Sequence, residues 1–289
     1  MLLRPQMIEP GTLKEAVAAL SRQRGAMAFA GATDLIPAIR RGMAKPRVLV
    51  NLKGIPELAG VRRVKGGLSI GALTKVADLL RSPLVARDWP VLAEIARDFG
   101  SPQIRNLATV GGNLCNATPS ADLPLPLLVL EARLEVAGPR GKRELAISDF
   151  FRNVNKTALR AGEILTAIVV PRPPVRTGVA WEKLVGRRAM DLAIAAAAVA
   201  VTLAPDGKTC RKARVALGAV APIPMRARAA ESVLEGKKLT PSLLAEAAAA
   251  AAAEAKPVSD LRASADYRRE MTEVLVRRAL RHAQQRAVR

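Results

Sequence analysis

The stretch from Ile104 to Pro124 constrains the fold more than any other part of this sequence. It mixes small, polar and turn-forming residues between two apolar segments, so it fits neither a single helix nor a single strand. Long irregular stretches inside compact domains are usually functional or disordered. Because this one is too apolar and too specific in composition for a linker, we expect it to carry part of a functional site.

The opening of the chain predicts a small layer of alternating helices and strands. The run from Thr12 to Glu15 has the pattern of a capping box, and Gly25 is a good stop for the helix that follows. After this helix the pattern predicts a strand over Ala26–Ala30, a short helix over Leu35–Arg41 and a strand over Val48–Leu52.

The middle of the chain continues with both kinds of pattern. Lys65-Gly66-Gly67 lies between two short apolar runs, Val61–Val64 and Leu68–Ile70, and indicates a hairpin. Thr74 is expected to cap a helix that runs through Leu80, and a further helix is expected over Trp89–Phe99. Further strands are predicted over Leu134–Val136, Leu145–Ile147 and Leu165–Val170.

The proline-rich run Pro171–Pro174 marks a candidate domain boundary. Three strands and then three helices are predicted after it, over Gly178–Val185, Ala193–Leu203, Ala213–Val220, Ala227–Leu234, Pro241–Ala255 and Ser264–Gln285. Strands followed by helices indicate an α+β fold. We therefore divide the chain into residues 1–175 and a C-terminal domain over residues 176–289, with a three-stranded sheet plus helices.

Two segments with glycine are candidates for holding a phosphate group. They are Ala30–Asp34, between a predicted strand and a helix, and Thr109–Asn113. Glycine lets backbone N–H groups approach a phosphate closely, and consecutive N–H groups can form an anion-binding nest. Either segment alone is weak evidence, because a turn of this kind is often only structural. Neither has the glycine spacing of a Rossmann or P-loop motif, so those folds are disfavoured.

The net charge of +21 indicates an acidic partner, a membrane surface or nucleic acid. Equally, it could be a solvated basic surface, because the basic residues are spread along the chain. The densest run is near the C-terminus, in Arg268, Arg269, Arg277, Arg278, Arg281, Arg286 and Arg289. Aromatic residues make up only 2% of the chain, which argues against stacking on single-stranded nucleic acid.

The composition excludes several other classes of protein. The two cysteines, Cys115 and Cys210, cannot build a disulfide scaffold or ligate a four-cysteine iron–sulfur cluster, so we expect no metal site in this chain. No apolar run reaches the ~20 residues that a membrane span needs. Because Met1–Pro5 lacks the apolar core of a signal peptide, we expect a cytoplasmic protein with reduced thiols.

Several motifs together identify a family that the chain resembles. They are Ala30–Asp34, Arg105–Asn113, Ala117–Asp122, Gly162–Leu165, and Trp181-Glu182-Lys183. With these motifs the chain closely resembles the FAD-binding medium subunit of molybdenum hydroxylases, the group that contains xanthine dehydrogenase and carbon monoxide dehydrogenase. The resemblance covers nearly the whole chain. Asn113, Thr33 and Asp34 are more similar to the xanthine dehydrogenase side of the family.

The resemblance implies a two-lobed FAD-binding domain of the p-cresol-methylhydroxylase (PCMH) type, with lobes at about residues 1–54 and 55–175, followed by the α+β domain. FAD would lie between the lobes, with its pyrophosphate on main-chain N–H groups of both glycine segments. Asp122 would accept hydrogen bonds from FAD hydroxyl groups, Phe99 and Leu165 would pack on the cofactor, and Lys183 would lie near the flavin ring. The residues implied in binding are Ala28, Phe29, Ala30, Gly31, Ala32, Thr33, Asp34, Leu35, Phe99, Thr109, Val110, Gly111, Gly112, Asn113, Asp122, Leu165 and Lys183.

Each of these side chains also has a purely structural interpretation. Phe99 and Leu165 fit the apolar core, Asp122 could cap a helix, and Lys183 could be a solvated strand residue. Ala32 departs from the family, which usually has a second glycine there. If that position needs a positive φ, alanine costs about 1 kcal/mol or more. No catalytic residue is assigned.

The resemblance also implies how the cofactors and chains are arranged. Covalent attachment of FAD is not expected, because the sole histidine, His282, is far from both segments and Cys115 offers no obvious attachment point. A large partner subunit would carry molybdopterin and a small one two [2Fe–2S] clusters, in a dimer of heterotrimers. Electrons would pass from those clusters through FAD to an external acceptor. A stand-alone flavin oxidase of the same fold and a basic nucleic-acid-binding protein stay open as alternatives.

Overall fold

The structure is a computed structural model that describes residues 5–187 and 190–288. Most of the N-terminal segment on which the absence of a signal peptide was judged, and Arg289 of the basic run, lie outside these ranges. Within them, no helix is both long enough and apolar enough to cross a membrane.

The first lobe is a three-stranded parallel sheet with two helices. Its strands are Gln6–Ile8 (β1), Ala26–Phe29 (β2) and Val48–Asn51 (β3), in the order β1-β3-β2. Its helices are Leu13–Arg22 (α1) and Leu35–Arg40 (α2). Strand β3 is central and apolar, because it is covered by neighbours on both edges and by α1 on one face.

The predicted capping box is present at the start of α1. The Thr12 hydroxyl accepts a hydrogen bond from the Glu15 N–H (3.2 Å), and the Glu15 carboxylate accepts one from the Thr12 N–H (3.3 Å). These bonds satisfy N–H groups that have no partner within the helix. Strand β1 was not predicted, since three residues are too few to show a periodic pattern.

The second lobe has a five-stranded antiparallel sheet, a two-stranded hairpin and six short helices. The strands are Val61–Val64 (β4), Gly67–Gly71 (β5), Arg133–Gly138 (β6), Gly141–Ala146 (β7), Phe151–Asn153 (β8), Lys156–Thr157 (β9) and Ile164–Pro171 (β10). The helices are Val76–Arg81 (α3), Pro83–Asp88 (α4), Pro90–Asp98 (α5), Pro102–Arg105 (α6), Val110–Asn116 (α7) and Pro124–Val129 (α8). The sheet order is β4-β5-β10-β6-β7, and β8 pairs with β9.

Two local predictions for this lobe are wrong. Thr74 does not cap a helix: its hydroxyl donates to the Gly60 carbonyl (2.9 Å), and α3 begins at Val76. The strand expected over Leu145–Ile147 ends at Ala146, where a short 3-10 turn begins. As predicted, the stretch from Ile104 to Pro124 is neither one helix nor one strand, but it contains the seven-residue helix α7, whose start is capped by Thr109.

The C-terminal domain packs a sheet against three helices. Its strands are Thr177–Leu184 (β11), Ala195–Leu203 (β12), Cys210–Gly218 (β13) and Met225–Arg226 (β14), and its helices are Arg228–Leu234 (α9), Pro241–Glu254 (α10) and Ala265–Val288 (α11). The α+β class is confirmed. The sheet has four strands instead of the predicted three, since the two-residue β14 adds to the edge of β13.

Strand β12 is buried on both faces and joins two hydrophobic cores. Ala196, Ala198 and Ala200 pack into the core of the second lobe, whereas Ala197 and Val199 face the C-terminal helices. Side chains alternate between the faces of a strand, so a strand covered on both sides is apolar at every position. This explains why the predicted run of small apolar residues shows no alternation.

Candidate functional site

The two glycine segments are in direct contact. A Cβ atom added to Gly31 would lie 2.1 Å from the carbonyl oxygen of Leu107 and 3.0 Å from the Cα of Ala108. A carbon–oxygen separation of 2.1 Å is far inside van der Waals contact, so only glycine allows this approach. The end of β2 is thereby held against the residues that immediately precede Thr109.

The first segment offers backbone N–H groups without chain partners. Ala28 and Phe29 end strand β2, and Leu35 begins helix α2. Between them, none of the N–H groups of residues 31–34 donates to a backbone carbonyl group of the described chain. Unpartnered N–H groups in succession after a strand form the kind of nest that binds anions. The predicted phosphate-binding character of Ala30–Asp34 therefore has a structural basis.

Ala32 adopts the left-handed backbone conformation, so this position does have a positive φ. Its φ is +58°, a value that costs a non-glycine residue about 1 kcal/mol or more. At Asp34, partial burial raises the pKa of the carboxyl group, while the nearby charge of Arg41 opposes this shift. Thr33 lies between them and is partly exposed.

The second segment differs from the expected loop, because it is the capped start of α7. The Thr109 hydroxyl accepts a hydrogen bond from the Gly112 N–H (3.1 Å), and its carbonyl accepts one from the Asn113 N–H (3.0 Å). The N–H groups of Val110 and Gly111 donate to the carbonyl groups of Thr74 (2.9 Å) and Ala72 (2.8 Å). These four N–H groups are thus engaged within the chain, and the first segment is the main source of free backbone donors.

Asn113 presents a side-chain atom that needs a partner. Its Oδ1 atom is buried and accepts no hydrogen bond within the described chain. A buried polar atom without a partner costs roughly 1–3 kcal/mol, so such atoms in native proteins usually meet a ligand, ion or water. The preceding residue, Gly112, is exposed. A Cβ atom added to it would lie 2.7 Å from the Thr109 hydroxyl oxygen.

An ion pair joins the second lobe to the C-terminal domain. Lys183 of β11 places its ammonium nitrogen 2.9 Å from Asp122 Oδ1 and donates a hydrogen bond to Oδ2 (3.1 Å). Both side chains are about nine-tenths buried, with 9% and 11% exposed. Burial raises the pKa of Asp122, Lys183 opposes that rise, and the charge of Asp98 adds to it. The two residues that were predicted separately from their motifs therefore form one charged unit.

Two predicted cofactor contacts are placed in or against the apolar core. Leu165 is buried within the core of the second lobe, and Phe99 packs against the same core from the end of α5. Two further side chains, Trp181 and Lys53, were not among the residues implied in binding but are neighbours of such residues. Trp181 lies two residues before Lys183 and has a buried indole N–H that finds no partner among the described residues, while the Lys53 ammonium nitrogen lies 4.7 Å from the centroid of the Phe29 ring.

The reactive side chains near the segments are not arranged as attachment points for a cofactor. Burial raises the pKa of the Cys115 thiol to about 12, so the nucleophilic thiolate is disfavoured. His282 lies on α11 with its Nδ1 atom 2.8 Å from Glu182 Oε1, on the helix-facing side of β11. Lys183 faces the opposite side, toward Asp122.

The residues present fit a phosphate-containing cofactor. The first segment supplies free N–H donors for an anion, and Gly31 allows the close contact with Leu107 that holds this segment against the residues before Thr109. Asn113 supplies an acceptor, and Asp122 and Lys183 supply a buried charged pair. A separate cavity of about 620 Å³ lies between Leu58 and Thr166 and includes none of these groups.

Comparison with known proteins identifies the family. Residues 3–173 match the family described as the FAD binding domain in molybdopterin dehydrogenase, and residues 182–283 match the CO dehydrogenase flavoprotein C-terminal domain. The chain is 39% identical to the carbon monoxide dehydrogenase medium chain of Afipia carboxidovorans over 279 residues, which are 96% of each chain. It is 31% identical to the xanthine dehydrogenase FAD-binding subunit of Escherichia coli O157:H7 over 274 residues, 94% of this chain and 93% of that subunit. Of these two relatives, the carbon monoxide dehydrogenase chain is the more similar overall, although Asn113, Thr33 and Asp34 were predicted to be more similar to the xanthine dehydrogenase side of the family.

A solved structure agrees in fold. Carbon monoxide dehydrogenase from Hydrogenophaga pseudoflava, in a form lacking the Mo-pyranopterin moiety, contains a chain that matches with a TM-score of 0.96 at 37% identity over 99% of both chains. The family match covers more than half of this chain, and the relatives are dehydrogenase subunits. The chain thus belongs to the FAD-binding medium subunits of the molybdenum hydroxylases and is an oxidoreductase subunit.

Proposed function

We propose that this chain holds FAD non-covalently and is the electron-transfer subunit of a molybdenum hydroxylase complex. When bound, FAD supplies the ability to take single electrons from [2Fe–2S] clusters of a partner subunit and to release them to an external acceptor such as NAD⁺, oxygen or a quinone. The observation that carries the proposal is the close approach of Gly31 to Leu107, which brings the free N–H groups of residues 31–34 to the start of α7.

Different residues of this chain bind different parts of FAD. The N–H groups of residues 31–34 hold the negatively charged pyrophosphate, and Ala28 to Leu35 line it. In the second segment, Thr109 to Gly112 form the surface that faces the cofactor, and the side-chain Oδ1 of Asn113 accepts a hydrogen bond from it. Phe99 and Leu165 provide apolar packing.

The ion pair of Asp122 and Lys183 would contact the parts of FAD beyond the pyrophosphate, namely its hydroxyl groups and its ring system. Asp122 accepts hydrogen bonds from hydroxyl groups of FAD, and Lys183 provides a positive charge near the ring system. A fixed cation stabilises negative charge that develops nearby, particularly where water is excluded. Because Lys183 is tied to Asp122, its ammonium group is positioned before the cofactor binds.

The proposal extends to domains and partners. We assign the PCMH-type domain to residues 1–175, with lobes at 1–54 and 55–175, and the second domain to residues 176–289. The relatives named medium chains support a complex with a large molybdopterin subunit and a small [2Fe–2S] subunit. We further propose a cytoplasmic dimer of heterotrimers. The substrate is selected by the large subunit, since no residue of this chain is assigned to the substrate.

The test uses the complex purified from cells that express the neighbouring subunits. Its visible spectrum, the flavin released on heat denaturation, and its iron and molybdenum contents are measured together. We expect releasable FAD in a one-to-one ratio with this chain, accompanied by iron and molybdenum. FAD without either metal would favour the stand-alone oxidase, and a complex without flavin would contradict the proposal.

A further inference from the structure

Topology gathers six basic side chains at one edge of the parallel sheet of the first lobe. Strands β2 and β3 begin at Ala26 and Val48, which pair in register. Helices α1 and α2 return the chain to that edge, as crossover helices between parallel strands must. The side chains that result, which we name the basic edge, are Arg22, Arg24, Arg40, Arg41, Lys45 and Arg47.

The basic edge is exposed, and its positive charge is compensated only in part, by Asp34 near Arg41. All six side chains are exposed, and residues 22–26 and 40–47 contain no Asp or Glu. Among the described residues, none of the six takes part in a salt bridge, although many other arginines of the chain do. Arg269 and Arg286 of α11, for example, are paired with Asp266 and Glu94.

The backbone beneath the basic edge is well ordered by hydrogen bonds. The Arg47 N–H donates to the Gly25 carbonyl (3.1 Å), and the Arg47 carbonyl accepts from the Gln6 N–H (3.0 Å). The Arg47 side chain packs over Gly25, where a Cβ would meet its Cγ at 3.5 Å. The charges are therefore presented on a fixed platform, which reduces the entropy lost when a partner binds.

Stabilisation of the helix ends accounts for only three of the six residues of the basic edge. Arg22, Arg40 and Arg41 lie at the ends of α1 and α2, where cations stabilise the negative end of a helix dipole. The other three, Arg24, Lys45 and Arg47, lie in connections outside the helices and gain nothing from that effect. Like charges close together destabilise a fold, so their concentration calls for a second explanation.

The basic edge lies across the sheet from the cofactor segment. Residues 30–34 follow the end of β2, whereas the basic edge lies at the start of that strand. Helix α2 runs from one edge to the other. A partner bound at the basic edge would therefore leave the free N–H groups of residues 31–34 accessible.

We infer that the basic edge is the docking surface for a protein partner with a carboxylate-rich surface. Five of the six residues are arginines, whose planar guanidinium groups match carboxylate groups with two parallel hydrogen bonds. Complementary charge of this kind speeds association and selects the partner. The inference does not depend on FAD binding, because the basic edge lies at the start of β2 and the free N–H groups of residues 31–34 lie after its end, although the charge of Arg41 does act on Asp34.

The same observations disfavour nucleic acid and membranes as the occupant. Residues 22–26 and 40–47 contain no aromatic side chain on which the bases of a nucleic acid could stack. Met27 and Met43 are exposed nearby, but two methionines offer far less apolar surface than the helices that insert into membrane interfaces.

The test compares two variants of the full-length protein that lose the same charge. The first, Arg24→Gln/Lys45→Gln/Arg47→Gln, removes the half of the basic edge that lies outside the helices. The control, Arg277→Gln/Arg278→Gln/Arg281→Gln, removes three exposed arginines of α11, one turn after Glu273. Binding of each variant to fluorescent poly-L-glutamate, to vesicles of phosphatidylglycerol and phosphatidylcholine, and to a DNA duplex is measured by fluorescence anisotropy or sedimentation.

We expect the basic-edge variant to bind polyglutamate roughly tenfold more weakly, from three exposed charge pairs, and the control less than about threefold more weakly. FAD content and melting temperature should not change, which separates this result from any failure of the proposed function. Equal weakening by both variants would overturn the inference in favour of bulk charge. A loss confined to vesicles or DNA, or equal for all three probes, would also overturn it.

Discussion

Gly31 lies so close to Leu107 that the carbonyl oxygen of Leu107 occupies the place of a side chain, 2.1 Å from where a Cβ would be. Two segments separated by most of the second lobe's helices thereby form one surface. The contact explains why a glycine is needed at this position although its backbone is not in the left-handed region. It also makes the site sensitive to the smallest possible substitution.

Gly31→Ala should separate the two segments and release the cofactor. The atoms that a methyl group would meet belong to the backbone of Leu107 and cannot move aside, so we expect a loss of about 1–3 kcal/mol in stability and most of the bound FAD. Gly42→Ala is the matched control, because its Cβ meets nothing within 4 Å. That variant should lose about 1 kcal/mol through its positive φ and keep its FAD. Full retention of FAD in Gly31→Ala would contradict the site.

Ala32→Gly should stabilise the protein. The φ of +58° at Ala32 is strained for alanine and free of strain for glycine, so we expect a gain of about 1 kcal/mol, reduced in part by the greater entropy of the unfolded glycine chain. In calorimetry the unfolding transition should rise by about 2 °C. Ala30→Gly, at a position without a positive φ, should change stability in the opposite direction. A rise in both variants would show that strain is not the cause.

Lys183→Met should destabilise the junction of the two domains in a pH-dependent way. Removing one partner of a buried ion pair leaves an unpaired charge, which costs about 3–5 kcal/mol. Burial already raises the pKa of Asp122, and losing Lys183 removes the charge that opposed this rise. A carboxyl group whose pKa is raised by folding favours the folded state when protonated, and this contribution is lost as pH rises through the folded-state pKa.

The loss of stability in Lys183→Met should therefore be smaller at about pH 5 than at about pH 7.5, in melting temperatures measured against the parent protein. The double variant Asp122→Asn/Lys183→Met has no charge left to titrate at this position. It should recover much of the stability and show no such dependence on pH. A single variant whose deficit is the same at both values would count against the buried pair.

FAD should be released intact on denaturation, leaving no flavin on the protein. Because burial raises the pKa of Cys115 to about 12, its thiol stays protonated at neutral pH and is a poor nucleophile. Intact-mass analysis after heating should give the unmodified chain, and Cys115→Ser should contain as much FAD as the parent. A covalent flavin adduct on any residue would contradict this expectation.

The sequence predicts the elements of this fold better than the contacts of its site. Continuous apolar runs identified β3, β10 and β12, and the capping box identified α1, because these signals are local. The three-residue β1 and two-residue β14 have no local signal and form through pairing with neighbouring strands. Thr74 looks like a cap but donates instead to a carbonyl 14 residues earlier, which no local pattern reveals.

For the site, too, the sequence predicts individual residues better than the contacts between residues that are far apart in the chain. The motifs pointed to Asp122 and Lys183 separately, yet their pairing depends on how β11 docks on the second lobe. The glycine pattern of Thr109–Asn113 indicated free N–H groups, but most of them are engaged by residues of the Ala72–Thr74 turn and by the Thr109 cap. The basic edge could not be seen at all, because its six residues come together only through the parallel topology of the first lobe.

Strand β12 has one further consequence. Its alanines at 196, 198 and 200 complete the core of the second lobe, while those at 195 and 197 complete the core beneath α10 and α11. The proline-rich boundary at residues 171–174 therefore separates two units of sequence but not two units of folding. A chain shortened there would leave the preceding core open to water, so the two parts should melt together and have little freedom to be exchanged between proteins in evolution.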